Sequence, residues 1–319
     1  MARTTSGSDR PSTLGGPGWR PRTGSHEEEV RAGTTWTVCG CRSEVAPLRA
    51  VLLAVPPAAL GAVGDPAGEL MLDRVDLPTI RAQAADLAAA YRAEGVTVHM
   101  VPMPDEVSAN VVFMRDLFFM APSGAVLARM AAQQRAGDER HVAAALAARG
   151  IPVLRTVAGN AVFEGADAQW LDPRTVVVGT GFRTNAAGAA QVREVLAVDG
   201  VRVVEVPLGP GVQHLLGSMV PLDEHTVALH SAAAGAELRA VLADHGYRVI
   251  EFEPDDELLH ARGLNLVPLA PGRVLMPAGA PGIRRRLEAA GVAVRVVDVG
   301  EYVKAAGGIG CVTGILHRG

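Results

Sequence analysis

Five stretches of the chain share one grammar: LAAAYRAEGVTVHMVP (Leu87–Pro102), AAALAARGIPVLRTV (Ala143–Val157), VREVLAVDGVRVVEVP (Val192–Pro207), LRAVLADHGYRVIEFE (Leu238–Glu253) and IRRRLEAAGVAVRVVD (Ile283–Asp298). In each, an Ala-, Leu- and Arg-rich run with helical character reaches a glycine and turns at once into a short β-branched run. The glycines are Gly95, Gly150, Gly200, Gly246 and Gly291, spaced 55, 50, 46 and 45 residues apart. A helix end that turns directly into a strand needs a residue tolerant of positive φ, which glycine adopts without steric cost. The spacing therefore predicts a glycine-closed helix followed by a strand, five times over.

A second strand stands before each helix: RAVLLAVP from Arg49, AVLARM from Ala125, TVVVGTG from Thr175, TVALHS from Thr226 and RVLMPAG from Arg273. None of the five strand-helix-strand modules can bury its own apolar face, so packing around a common axis is expected. Two doubly wound α/β domains would alternate strand and helix in the same way. A Rossmann nucleotide site is disfavoured, because no G-x-G-x-x-G opens a helix after a strand.

Composition narrows the function classes. The 319 residues carry 30 Lys+Arg against 34 Asp+Glu, a formal charge of −4, which lacks the basic surface that phosphate neutralisation requires. Hydrophobic residues are 49% and aromatics 4%, enough for a large core built from small aliphatic side chains. The apolar run from Ala50 to Val63 is broken by Pro56, Pro57 and Gly61 and falls short of the roughly 20 residues of a membrane-spanning helix. Residues 1–34 are rich in Ser, Thr, Gly, Pro and Arg without a secretory apolar stretch; they are expected to be a disordered extension before one domain over 35–319. Three cysteines, Cys39, Cys41 and Cys311, make no even disulfide framework, so a reducing cytoplasm is the expected location.

Polar residues recur after each post-glycine strand, between 14 and 21 residues past the glycine: Asp116, Glu164, His214, Asn265 and Cys311. Pseudo-symmetric modules would bring such positions together near the axis. Cys311 lies in GGIGCVTG, where glycines let the backbone approach a ligand, and a thiolate there is favoured by an imidazolium or a cationic substrate. His214 in GVQHLLGS has the reach and the near-neutral pKa of a general acid/base. Glu164 and Asp167 in FEGAD, and Asp116 in NVVFMRDLFFM, sit among aromatic residues where a carboxylate needs a cationic partner or a proton. Such carboxylates could equally pair with structural arginines. Carboxylates around a thiol suit a planar guanidinium; a cysteine protease has no need of them, and a zinc site would want a close-spaced ligand pair. Cys39 and Cys41 read as structural.

NVVFMRD, FEGAD, the QHL stretch and GGIGC stand in the order of the motifs of the guanidino-modifying superfamily, and SEVAPLRAVLLAVPP (Ser43–Pro57) is similar to its opening strand. The chain from about Thr35 onward resembles these arginine deiminases, amidinotransferases and dimethylarginine dimethylaminohydrolases, most of all the last, through GFRTNAAGAAQV around Arg183 and VLMPAG from Val274. The resemblance implies the pentein fold, a five-bladed αβ propeller, and a hydrolase of arginine or Nω-methylated arginine that works through a covalent thiouronium and releases citrulline and an amine. An amidinotransferase or an arginine deiminase is the alternative. It further implies Cys311 as nucleophile, His214 as acid and base, and Glu164 as holder of the guanidinium and of His214. Asp116 would bind the guanidinium nitrogens, Arg135 and Arg183 would clamp the α-carboxylate, and Asn110 would stand near the α-amine; Asp167, from its place in the acidic FEGAD loop alone, is expected to face the cationic substrate. Leu216 departs from the pattern: deiminases and amidinotransferases have Asp two residues after the histidine, and that dimethylaminohydrolase branch has Lys. No metal and no cofactor are implied. The partner is a small guanidino molecule, with no nucleic acid and no membrane, and a homo-oligomer is left open.

Overall fold

The computed structural model describes residues 10–104 and 106–319. Among the described residues, fifteen strands form five sheets of three. In chain order the strands are β1 (Leu48–Val55), β2 (Thr97–Pro102), β3 (Phe118–Ala121), β4 (Gly124–Leu127) and β5 (Val153–Thr156). They continue as β6 (Ala168–Asp172), β7 (Thr175–Thr180), β8 (Arg202–Pro207), β9 (Met219–Pro221), β10 (Thr226–His230), β11 (Arg248–Phe252), β12 (Val267–Ala270), β13 (Arg273–Pro277), β14 (Ala293–Val297) and β15 (Gly314–Arg318).

Each sheet has the same order: an antiparallel strand, a central strand, and a parallel strand reached through a helix. The crossover helices are Leu77–Ala93, Asp138–Ala147, Ala186–Val198, Ala236–Asp244 and Pro281–Ala289. All five repeat glycines follow a helix end with φ between +67° and +90°, the backbone state for which glycine was expected there. The modules thus fold as the spacing predicts, into the five-bladed αβ propeller, and not into two doubly wound sheets.

The third strand of every blade was not part of the repeat reading. These strands (β3, β6, β9, β12 and β15) are short and almost wholly buried, while the parallel strands are mostly part-exposed. A buried strand of three to five residues carries no alternation to betray it. The ring is closed by β15, which returns from the C-terminus to pair antiparallel with β1.

The expected disordered extension is corrected in part. His26–Ala32 forms a helix with a capping box between Ser25 and Glu28, and Val30 is buried in the main core. Glu27 pairs with Arg42, which tethers this helix to the chain leading into β1. The S-x-x-E pattern from Ser25 to Glu28 is embedded in a stretch whose Gly, Pro and Thr content reads as disordered. Residues 1–9 lie outside the described residues. Among the described residues, no helix is long and apolar enough to cross a membrane.

Candidate active site

Asp116, Glu164, His214, Asn265 and Cys311 all occupy one structural position, the connection from the parallel strand of one blade to the antiparallel strand of the next. Each precedes its antiparallel strand by two to five residues, so the fold repeats the placement at every blade. Local packing brings the connections together. Gly165, directly after Glu164, lies so close to the helix Met114–Leu117 that an added Cβ would stand 2.3 Å from the Phe118 carbonyl oxygen and 2.5 Å from that of Arg115. Only glycine lets the Glu164 loop approach Asp116 in this way.

Glu164 is fully buried and its Oε2 lies 2.7 Å from His214 Nε2. The other imidazole nitrogen, Nδ1, faces Asp116 Oδ1 at 3.9 Å, so the ring sits between two carboxylates. Burial by itself disfavours the imidazolium, but Asp116, Asp167 and the Glu164 hydrogen bond outweigh it and raise His214 to about 9. Burial would likewise raise Glu164, and the imidazole together with Arg135 and Arg183 holds it well below the carboxylate range instead. At neutral pH the pair is therefore carboxylate and imidazolium, a proton donor fixed in place.

Cys311 is held from a different blade. Asn265 Nδ2 donates to Sγ at 3.0 Å, while Asn265 Oδ1 accepts from the Cys311 backbone N–H at 3.2 Å. This two-point clamp sets both the sulfur and its main chain. Burial, and next the charge of Asp116, push the thiol up; the Asn265 bond, the Gly308 amide and Arg262 pull against them. The free enzyme thus carries a thiol, and a cation placed against Asp116 would favour the thiolate. Cys39 and Cys41 are buried thiols raised to about 12, which makes them poor nucleophiles.

The remaining expected residues have different surroundings from those implied. Asp167 does not reach the site: it is fully buried behind it, accepting from the Leu215 backbone N–H at 3.0 Å and from the Thr184 hydroxyl at 2.6 Å. Burial raises it to about 7. It positions the His214 loop. Arg135 and Arg183, expected as a free carboxylate clamp, are paired within the site, Arg135 with Asp116 at 2.6 Å and Asp138 at 3.4 Å, Arg183 with Glu164 at 3.3 Å. In the ligand-free protein two buried carboxylates attract the nearest guanidinium groups. Asn110 donates to the Glu69 carbonyl at 2.6 Å, and its own carbonyl accepts from Arg135. Asp116 Oδ1 is buried and has no hydrogen-bond donor among the described residues. An acceptor left open in this way, next to a nucleophile, fits an incoming N–H.

Ligand atoms of Asp116, Glu164 and His214 lie within 4.8 Å of one another, close enough to hold a cation. A metal ion there would compete with Arg135, Arg183 and the imidazolium. A guanidinium, able to donate several N–H groups to the same oxygens, fits the donor geometry better. Asn265 and Arg262 were missed as site residues: Asn265 had the right spacing but no chemistry attached to it, and nothing in the sequence marks Arg262.

The family model for arginine deiminase matches residues 69–237. The dimethylarginine dimethylaminohydrolase of Mycobacterium tuberculosis is 31% identical over 245 residues, 76% of this chain and 78% of that one. Among solved structures, a dimethylarginine dimethylaminohydrolase from Pseudomonas aeruginosa, a cysteine-to-serine mutant complexed with citrulline, superposes with a TM-score of 0.70 at 21% identity, covering 86% of this chain and all of that one. An amidinotransferase from Microseira wollei reaches 0.71 at 17% identity over 88% and 97% of the two chains. At these identities the solved structures speak for the shared fold.

Proposed function

Because the chain belongs to the arginine deiminase and dimethylarginine dimethylaminohydrolase family of guanidino-modifying enzymes, we propose that it hydrolyses the guanidino group of an Nω-substituted arginine, with methylated arginine as the leading case. The observation that carries the proposal is the open oxygen of Asp116, set beside the Glu164–His214 pair on the cavity that also holds Cys311. The catalytic unit is read as residues 35–319.

A guanidinium bound between Asp116 and Glu164 replaces the arginines now paired there and places a positive charge near Cys311, favouring loss of the thiol proton to solvent. Sγ then bonds to the guanidinium carbon. The bond from that carbon to the substituted nitrogen breaks, and its electron pair takes the proton of His214 as the amine departs. The adduct is a cationic alkylthiouronium. Neutral His214 accepts a proton from water as the oxygen bonds to the same carbon, and the thiolate is expelled. Citrulline is released, and the second water proton goes to the amine. Arg135 and Arg183, displaced from the carboxylates, would then be free to meet the α-carboxylate.

The test is one incubation series with arginine, mono- and dimethylarginine, with and without an acceptor amine, resolving ammonia, methylamines, ornithine and citrulline. Citrulline and a methylamine formed without acceptor are expected. Ornithine appearing only when acceptor is present would make the protein an amidinotransferase.

A further inference from the structure

Cys311 stands where two cavities meet, and they differ in character. A narrow one is lined by Asp116, the guanidinium ligand proposed above, and by Asn110, Arg135 and Arg183, the groups suited to the amino-acid end of the substrate. The other has a volume of about 440 Å³ and is lined by His214, Leu216, Leu258, Arg262, Leu264 and Asn265 among others. The group that leaves must be the one His214 protonates, and His214 lines the large cavity but not the narrow one. The departing amine therefore points into that space. A single water needs about 10–15 Å³ of such volume, so methylamine would leave nearly all of it empty.

The walls of the large cavity name a better occupant. Leu216, Leu258 and Leu264 give it an apolar side, and no carboxylate lines it among the described residues. His230, also on the wall, is lowered by burial and so stays neutral at physiological pH. Arg262 is the only permanent cation lining it among the described residues; its Nε is buried without a hydrogen-bond partner, and it forms no ion pair with them. Its backbone has φ +54°, a conformation that side-chain-bearing residues keep only where the surrounding structure imposes it. The Arg262 carbonyl accepts from the Asn265 N–H at 2.7 Å, so the turn that places Arg262 on the cavity wall also seats the residue clamping Cys311.

We propose that the large cavity is a leaving-group site for an Nω-substituent made of a short apolar stem ending in a carboxylate, which Arg262 binds. Resting on the hydrolase reading above, this names the substrate class as Nω-(carboxyalkyl)arginine and the second product as an amino acid. The bonds made and broken are those already given: sulfur to carbon forms, carbon to the substituted nitrogen breaks, and the nitrogen leaves with the proton of His214 and its carboxylate on Arg262.

The experiment compares kcat/KM for Nω-monomethylarginine and Nω-(2-carboxyethyl)arginine in the wild type, Arg262→Gln and Arg262→Glu, with Nω-(2-aminoethyl)arginine as a third substrate. The wild type should favour the carboxyethyl over the methyl compound by about tenfold or more, and Arg262→Gln should cut that ratio by about 10- to 100-fold, the range for a charged hydrogen bond. In Arg262→Glu the preference should move to the aminoethyl compound, which a merely structural residue would not cause. Using ratios cancels any effect of Arg262 on the thiol. Turnover of methylarginine with no carboxyethyl preference, or a preference that survives Arg262→Gln, overturns the site; no turnover of any substituted arginine overturns the hydrolase reading itself.

Discussion

Two residues set the protonation states that the chemistry requires. His214 is raised to about 9 by the carboxylates around it, and the Cys311 thiol is raised by burial and by Asp116. The proposed reaction needs the thiolate and the imidazolium together, and the thiol ionises above the imidazolium, so kcat/KM should climb with pH up to about 9, where His214 loses its proton, and fall at higher pH once Cys311 has ionised. Asn265 lowers the thiol by donating to Sγ. In Asn265→Ala the falling limb should shift to higher pH and kcat should drop by about tenfold or more, with the rising limb unmoved near 9. A pH profile beside the ultraviolet absorbance of the thiolate checks both statements; an unshifted falling limb would remove Asn265 from the mechanism. Cys311, His214, Glu164 and Asp116 were legible in the sequence because each carries chemistry at a repeated spacing. The engagement of Arg135 and Arg183 was not, since it depends on two carboxylates from other connections lying within reach in the ligand-free protein.

At the scale of elements, the helices and the two strands flanking each could be read from the five glycines, because helix spacing, positive φ and β-branched runs are all local signals. The five antiparallel strands and the helix His26–Ala32 could not, since the former are stabilised by burial between neighbours and the latter by docking of Val30 and Glu27. The connections that carry the site depend on close backbone approach. Gly165→Ala should destabilise the protein by about 1–3 kcal/mol, because the added methyl meets two carbonyl oxygens that cannot move cheaply. Chemical denaturation measures this. A variant as stable as the wild type would mean that the Glu164 loop and the Asp116 helix are not locked together as described.

Over the whole molecule, the ring converts a sequence repeat into a converging site: five connections, one per blade junction, supply Asp116, Glu164, His214, Asn265 and Cys311. Closure of the ring by β15 begins three residues after Cys311, so the strand that completes the first blade also anchors the nucleophile loop. The five sheets from β1 to β15 make up the propeller, and in the proposed reaction Asp116 and Glu164 are the acidic residues that meet the cationic substrate. The central claim is that turnover passes through a covalent bond to Cys311. It is tested most directly by acid-quenching the protein during turnover of Nω-monomethylarginine and mapping the adduct by peptide mass spectrometry. An alkylthiouronium on the peptide containing Cys311, absent in Cys311→Ser and present in Cys39→Ser, is the predicted result. Substrate consumption without any adduct, undiminished in Cys311→Ser, would contradict it.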